Sequence, residues 1–328
     1  VRSGAFRHGK MDGVTARRLP AWIGVGAAAV IGILTAVQAR INGQLGARIG
    51  DGFAAAVISF GSGLVVLIVL SLVLPQGRRG FAALSKGMRE RTIPVWMLCG
   101  GVAGALSVAT QSLAVGIIGV ALFTVGVVAG QTVSGLLLDR SGIGPAGTVA
   151  VTPARLIGGL LAMLAAAVSL AGGVHAPPVF VILPFLVGAG IAWQSAVNGR
   201  LRQRVGTPLT ATLVNFIGGT AVLGIAELVH TGVAGPPAAY PADAWLYVGG
   251  VIGVAYIFLA AALVPYTGVL LLGLGTVVGQ VVTSVVIDAL WPTSAAPSLA
   301  QSLLMSTLAI LSVVVAAVPW RRMPRSGR

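Results

Sequence analysis

In 328 residues, hydrophobic side chains make up 56% and charged ones only 9%, and the mean hydropathy is +0.98. Soluble domains carry roughly 25% charged residues, so a solvated surface cannot be assembled from this chain, which reads as an integral membrane protein. The net charge of +14 comes from basic residues clustered between apolar segments, without aromatic–basic interleaving or a nucleic-acid motif. Membrane topology accounts for it, and nucleic acid is not an expected partner.

A helix crosses a hydrocarbon core of ~30 Å in about 20 residues. After a basic N-tail (1–20), about ten segments of that length follow: 21–44, 53–74, 94–115, 117–138, 153–172, 178–199, 208–229, 244–264, 268–289 and 299–318. A basic C-tail (319–328) closes the chain. Barrel strands would be about 10 residues long and alternate in polarity, so the fold class is all-α and polytopic. The boundaries at Gly116–Gly119 and Pro265–Gly268 are the softest, and 75–93 reads as a hydrophilic loop. The 47 glycines suit close helix packing in lipid. Segment 1 taken alone resembles a signal peptide ending near Val37-Gln38-Ala39, but its twin at 178–199 lies mid-chain, so both read as permanent helices.

Lys and Arg positions set the orientation. With the N-terminus inside, ten spans return the C-terminus inside. The inner side then collects Arg2, Arg7, Lys10, Arg17, Arg18, Arg78, Arg79, Lys86, Arg89, Arg91, Arg140, Arg155, Arg200, Arg202, Arg204, Arg321, Arg322, Arg325 and Arg328. Only Arg40 and Arg48 remain outside. An N-in/C-in topology is expected.

The chain repeats itself. A shift of 156 carries Gln38, Asn42, Gly43, Leu45, Arg48, Gly50, Ala55, Phe60 and Gly63 onto Gln194, Asn198, Gly199, Leu201, Arg204, Gly206, Ala211, Phe216 and Gly219. Downstream, a shift of 149 carries Trp96, Gly101, Gly104, Gly119, Val120, Leu122, Gly126, Gly130, Gln131 and Asp139 onto Trp245, Gly250, Gly253, Gly268, Val269, Leu271, Gly275, Gly279, Gln280 and Asp288. Repeats of five spans each, residues 21–172 and 178–318, enter the membrane in opposite senses. That is the pattern of an inverted-topology repeat, a device of alternating-access transporters.

The paired Gln-x3-Asn-Gly-x-Leu, the Arg-[Ile/Val]-Gly that follows and the later Gly-Gln-x-Val closing on Asp139 and Asp288 resemble the YdcZ-type inner-membrane exporters of the drug/metabolite transporter superfamily, as a fused, double-length member. The resemblance implies ten helices in a five-plus-five inverted bundle around a central cavity, in a bacterial cytoplasmic membrane. It implies small-molecule transport in the export direction, without naming a substrate.

Gln38 and Asn42, like Gln194 and Asn198, are four apart and share a helix face. Asn-Gly then ends the helix, Gly50 or Gly206 allows the turn, and Asp51 or Thr207 caps the next helix. Two readings are open: hairpin ends at headgroup depth with Arg48 and Arg204 snorkelling, or gates on opposite faces. Arg40, matched by Ala196, either attracts an anion to the outer vestibule or snorkels.

Gln131 and Gln280 fall near mid-span, where an unbonded amide is costly, so they face the bundle interior. There they either bond a neighbouring helix or line a substrate cavity with Gln111, Thr110, Ser134, Thr283 and Ser284. Asn215 and Ser59, at equivalent places in segments 7 and 2, carry the same alternatives. Glu227, Asp288 and Asp139 read as interfacial. No carboxylate falls at mid-membrane, and segment 1 lacks the one used by the small multidrug exporters of the same superfamily. A neutral or zwitterionic metabolite suits such a lining.

A lone Cys99 allows no intramolecular disulfide and no Cys-x-x-Cys site. His8, His175 and His230 form no metal or catalytic motif, so neither enzyme nor cofactor is expected. The competing reading is a non-transporting subunit or a lipid-handling protein of flippase or scramblase type. The expected partners are the lipid bilayer and a small-molecule substrate; a homodimer is left open. Cysteines introduced near Pro178 and Pro236 should react with impermeant thiol reagents from outside, and cysteines near Gly80 or Gly206 should not. Outside labelling at Gly206 would contradict the inverted arrangement.

Overall fold

The computed structural model describes residues 21–144, 147–148, 151–171, 179–293 and 297–317. Both basic tails and Pro178 lie outside the described residues. Those residues form nine α-helices: α1 (Ala21–Ile49), α2 (Gly52–Val73), α3 (Pro75–Arg89), α4 (Gly100–Ser141), α5 (Pro153–Ala171), α6 (Val179–Val205), α7 (Pro208–Ala234), α8 (Gly249–Leu290) and α9 (Leu299–Ala317). Short 3-10 turns, Val95–Leu98 and Ala244–Tyr247, lead into α4 and α8. No strand occurs among the described residues. Five helical stretches among them are long and apolar enough to cross a membrane.

Both polar corners turn in the same way. Gly50 and Gly206 adopt φ of +74° and +76°, which stops α1 and α6. Asp51 then accepts from the N–H groups of Phe53 and Ala54 at 2.8 and 3.1 Å, and Thr207 from that of Leu209 at 3.2 Å, with Pro208 in the first turn of α7.

α4 and α8 are each 42 residues long, twice what one crossing needs. α4 holds a non-helical residue, Gly119, at φ 81° and ψ 167°. A Cβ on Gly190 would fall 3.3 Å from the Cβ of Ala103, and one on Gly188 2.8 Å from the backbone N of Gln131. A straight helix would hold residues 103 and 131 about 42 Å apart, yet both meet one turn of α6. The chain therefore doubles back at Gly119, giving antiparallel arms 100–118 and 120–141. α8 doubles back too. Gln38 of α1 donates to the carbonyl of Gly249, and Gly32 of α1 packs against Gly279 and Gln280. The reversal lies between residues 253 and 276. The soft sequence boundaries are soft because each turn is made within apolar chain, with no polar loop.

The expected loop at 75–93 is corrected: its first fifteen residues are helix α3. Gly77, Gly80, Leu84 and Gly87 are buried at helical spacing, while Arg78, Arg79, Lys86 and Arg89 are exposed. Its packed face is mostly glycine, so hydropathy does not reveal it. Gly80 rests on Thr207, the cap of α7, and on Thr210 of α7.

Contacts between the halves come in exchanged pairs. α1 lies along α8 as α6 lies along α4, while α2 packs on α7 and α5 on α9. A Cβ on Gly253 would fall 2.5 Å from Gln38 Nε2, and one on Gly104 2.8 Å from Gln194 Nε2. Gly63 meets the Phe216 ring and Gly219 the Phe60 ring, and the two rings stack with centroids 4.8 Å apart. One end of the bundle carries Gly119 and Gly50, with the Arg48–Asp243 ion pair and, beside it, His230 Nε2 3.4 Å from Asp51 Oδ2. The other carries Gly206, α3 and Arg200, which donates to the carbonyls of Gly142 and Ile143.

Gly104→Val and Gly253→Val should each destabilise the bundle by about 1–3 kcal/mol through overpacking. Gly224→Val, where a Cβ meets nothing within 4 Å, should leave the melting temperature in detergent unchanged. Equal shifts in all three would show that the glycine approaches do not hold the halves together.

Candidate functional site

Between the halves lies a cavity of about 400 Å³. Its polar lining includes Gln38, Ser59, Gln111, Gln131, Gln194, Asn215 and Gln280 together with the hydroxyls of Thr35, Ser107 and Thr276, and Phe60, Phe123, Phe216 and Tyr256 are among its aromatic walls. Among the described residues, no charged side chain lines it. These residues come from α1, α2, both arms of α4, α6, α7 and α8, so the cavity exists only when both halves are assembled.

The corner residues reach the same region. Asn42 donates to Gln111 Oε1 at 2.7 Å. On the other side, Gln194 and Asn198 both donate to Asn215 Oδ1, at 2.9 and 3.2 Å, and Gln38 donates to the Gly249 carbonyl at 2.8 Å. Asn42 Oδ1 and Ser59 Oγ are buried without a hydrogen-bond partner. The Gln131 and Gln280 amides form no hydrogen bond to another described residue, although Gln280 is buried. Two amides equivalent in the repeat thus face one space unspent.

Other candidate residues sit elsewhere. Thr110 is buried one position from Gln111 but does not line the cavity. Ser284 donates to the Val281 carbonyl of its own helix at 2.8 Å, and Ser134 donates to the Ala189 carbonyl on α6 at 3.3 Å. Thr283, on the outgoing arm of α8, is half-buried outside the lining. Arg48 pairs with Asp243 and lies 5.9 Å from the Trp245 ring centroid, so its charge is met by protein.

Asp288 has partners that the sequence did not reveal: it is 8% exposed and accepts from the N–H groups of Val120 and Ala121 at 2.8 and 2.7 Å. Arg40, half-buried, lies where its charge acts on this carboxylate, and its Nη1 is buried without a hydrogen-bond partner. The signal was present in the repeat, which matches Gly119-Val120 with Gly268-Val269 and Asp139 with Asp288. Asp139 itself pairs with Arg155 Nη1 at 2.6 Å.

Bundle and cavity together define a polytopic helical membrane protein with an amide-lined space between two related halves. The model of the family described as "Putative inner membrane exporter, YdcZ" matches residues 23–168 and again residues 179–318. The chain belongs to this family and carries its unit twice. It is a multi-pass inner-membrane protein of a transporter family. No curated protein matches the chain. Among the described residues, no group of three or more His, Cys, Asp or Glu is placed to hold a metal ion.

Asn215→Ala should cost about 1–3 kcal/mol, because it strands the donors of both Gln194 and Asn198. Ser59→Ala, at the equivalent position but with an unpartnered hydroxyl, should cost less than about 0.5 kcal/mol. Thermal unfolding in detergent compares them; equal losses would mean that the amide cluster contributes nothing beyond its volume.

Proposed function

We propose that this chain is a small-molecule exporter that works by alternating access. Its two halves form an inverted repeat, both termini lie in the cytoplasm, and the 400 Å³ cavity is the substrate site. The observation that carries the proposal is the pair Gln131 and Gln280. An amide buried in apolar surroundings costs free energy unless it is bonded, and these two equivalent amides are directed at a shared space. Groups held ready in this way suit a ligand that brings its own donors and acceptors.

Three features support the mechanism. Exchanged contacts across α1·α8 and α4·α6 are what two interconvertible, mirror-assigned states require. Substrate-site amides are wired to the corner residues through Asn42–Gln111 and Gln194–Asn215, so occupancy can be felt at both ends. The basic residues of α3 and the ends of α4 and α6 gather at the Gly206 end, which by the positive-inside rule faces the cytoplasm. An amide-rich lining with no charge among its described residues suits a neutral or zwitterionic substrate, and the volume fits a small metabolite.

Gln131→Leu and Gln280→Leu keep the volume and remove a donor and an acceptor. In proteoliposomes loaded with a panel of neutral and zwitterionic metabolites, each should lower flux per folded molecule by about 10-fold or more. Normal flux per folded molecule in both variants would overturn the site. Lipid scrambling by the parent protein, without metabolite flux, would overturn the exporter reading itself.

A further inference from the structure

A second recess lies on the outside of the bundle, away from the cavity between the halves. It is a groove of about 380 Å³ between α3 and the neighbouring ends of α2 and α7. Ile68, Leu72, Phe81, Leu213 and Ile217 form its apolar walls, and Arg78 and Ser71 supply its polar lining. Ile68, Leu72, Phe81 and Ile217 are between 42% and 67% exposed. Three of these four stand on α2 and α7, which are long and apolar enough to cross a membrane, so this side of the groove is offered to lipid.

The groove exists because α3 leaves α2 without a loop. Leu74 alone is extended between them, and Pro75 starts the new helix. Gly77 then packs on Ser71, where a Cβ would fall 2.4 Å from the Ser71 carbonyl oxygen. Arg78 and Phe81, three apart, share one face of α3 and both line the groove. No carboxylate pairs with Arg78 among the described residues. Ser71 is buried, and its hydroxyl has no hydrogen-bond partner. Ser62 of the same helix, by contrast, donates to the Ser59 carbonyl at 3.0 Å. A cation and an unbonded hydroxyl thus stand together at the mouth of an apolar groove.

We propose that this groove binds one anionic phospholipid, with its phosphate at Arg78 and an acyl chain along α2 and α7. A guanidinium matches a phosphate with two parallel N–H donors, and the Ser71 hydroxyl donates to a phosphate or ester oxygen of the same lipid. The apolar wall reaches Ile217, nine residues and about 14 Å along α7 from Pro208, a depth that a free phosphate would leave empty. Charge selects the headgroup: Arg79, Lys86 and Arg89 are also exposed on α3, with Glu90 at its end. This basic surface attracts an anionic lipid and disfavours the cationic group of a zwitterionic one. α2 belongs to the first family unit and α7 to the second, and the Phe60–Phe216 stack joins the same two helices. A lipid held here therefore closes the seam between the halves, whether or not the cavity carries substrate.

The test titrates the full chain in mixed micelles with dioleoyl phosphatidylglycerol and reads the apparent affinity from the rise in melting temperature. Binding to the folded protein should raise it by several degrees, and dioleoyl phosphatidylcholine should not. Arg78→Gln should weaken the apparent affinity by about 10-fold or more, while Arg79→Gln, which lies off the groove, should change it less than about 2-fold. Ile217→Trp, which fills the groove and leaves every charge in place, should weaken it as Arg78→Gln does. Equal losses from Arg78→Gln and Arg79→Gln would mean diffuse attraction to a basic surface and overturn the site. Equal protection by phosphatidylcholine, or by glycerol 3-phosphate without acyl chains, would overturn the assigned lipid, and no shift with any of them would overturn the groove altogether. Should Ile217→Trp lower the melting temperature without lipid, the comparison of Arg78→Gln with Arg79→Gln decides alone.

Discussion

Hydrocarbon offers no hydrogen bonds, so a chain that turns within it must bring an acceptor for every N–H it exposes. That constraint shapes this molecule most visibly at Gly119. α4 reverses without leaving apolar surroundings, and the freed N–H groups of Val120 and Ala121 are met by Asp288 from the far end of the chain. The acceptor could have come from a local side chain, as Asp51 and Thr207 serve α2 and α7. Drawing it from the other half makes the fold of one half conditional on the other.

The same dependence runs through the interior. Glycines on α4, α6 and α8 let backbones approach until side-chain amides take the remaining space. Gln38 and Gln194 pass over Gly253 and Gly104, and their amides end at the cavity. Larger residues at those glycines would push the helices apart and leave the amides without partners. Close packing and polarity are therefore one design: the first makes the second affordable in lipid.

Much of this was legible in the sequence. Span lengths follow from hydropathy, and the repeat from Gln, Asn, Arg and Asp recurring in register where apolar composition alone carries no information. What was not legible has physical reasons. The helix α3 hides because three of its four buried positions are glycines. Thr110 and Gln111 differ by one residue, about 100° around a helix, and composition does not say which of them faces the cavity. Asp288 was read by its distance from the span end, which gives depth but not neighbours. Only the fold shows that the residues after Gly119 meet it.

The repeat also shows where the two halves have parted. Asn42 and Asn198 are equivalent and both donate to an amide oxygen, but the acceptors are not equivalent: Gln111 on α4 for one, Asn215 on α7 for the other. Their repeat counterparts, Ala260 and Ser59, have no amide to offer. The same bond is thus built from a different helix at each end, in one case with a single donor at 2.7 Å and in the other with two donors sharing one oxygen. An amide oxygen has two lone pairs and can accept both donors, so the two corners are held by different numbers of bonds. Such inequality is available only to a fused chain, because two copies of one gene product would carry identical corners. On the exporter reading proposed above, unequal corners would let the empty protein favour one opening, and a substrate bonded to the central amides would favour the other.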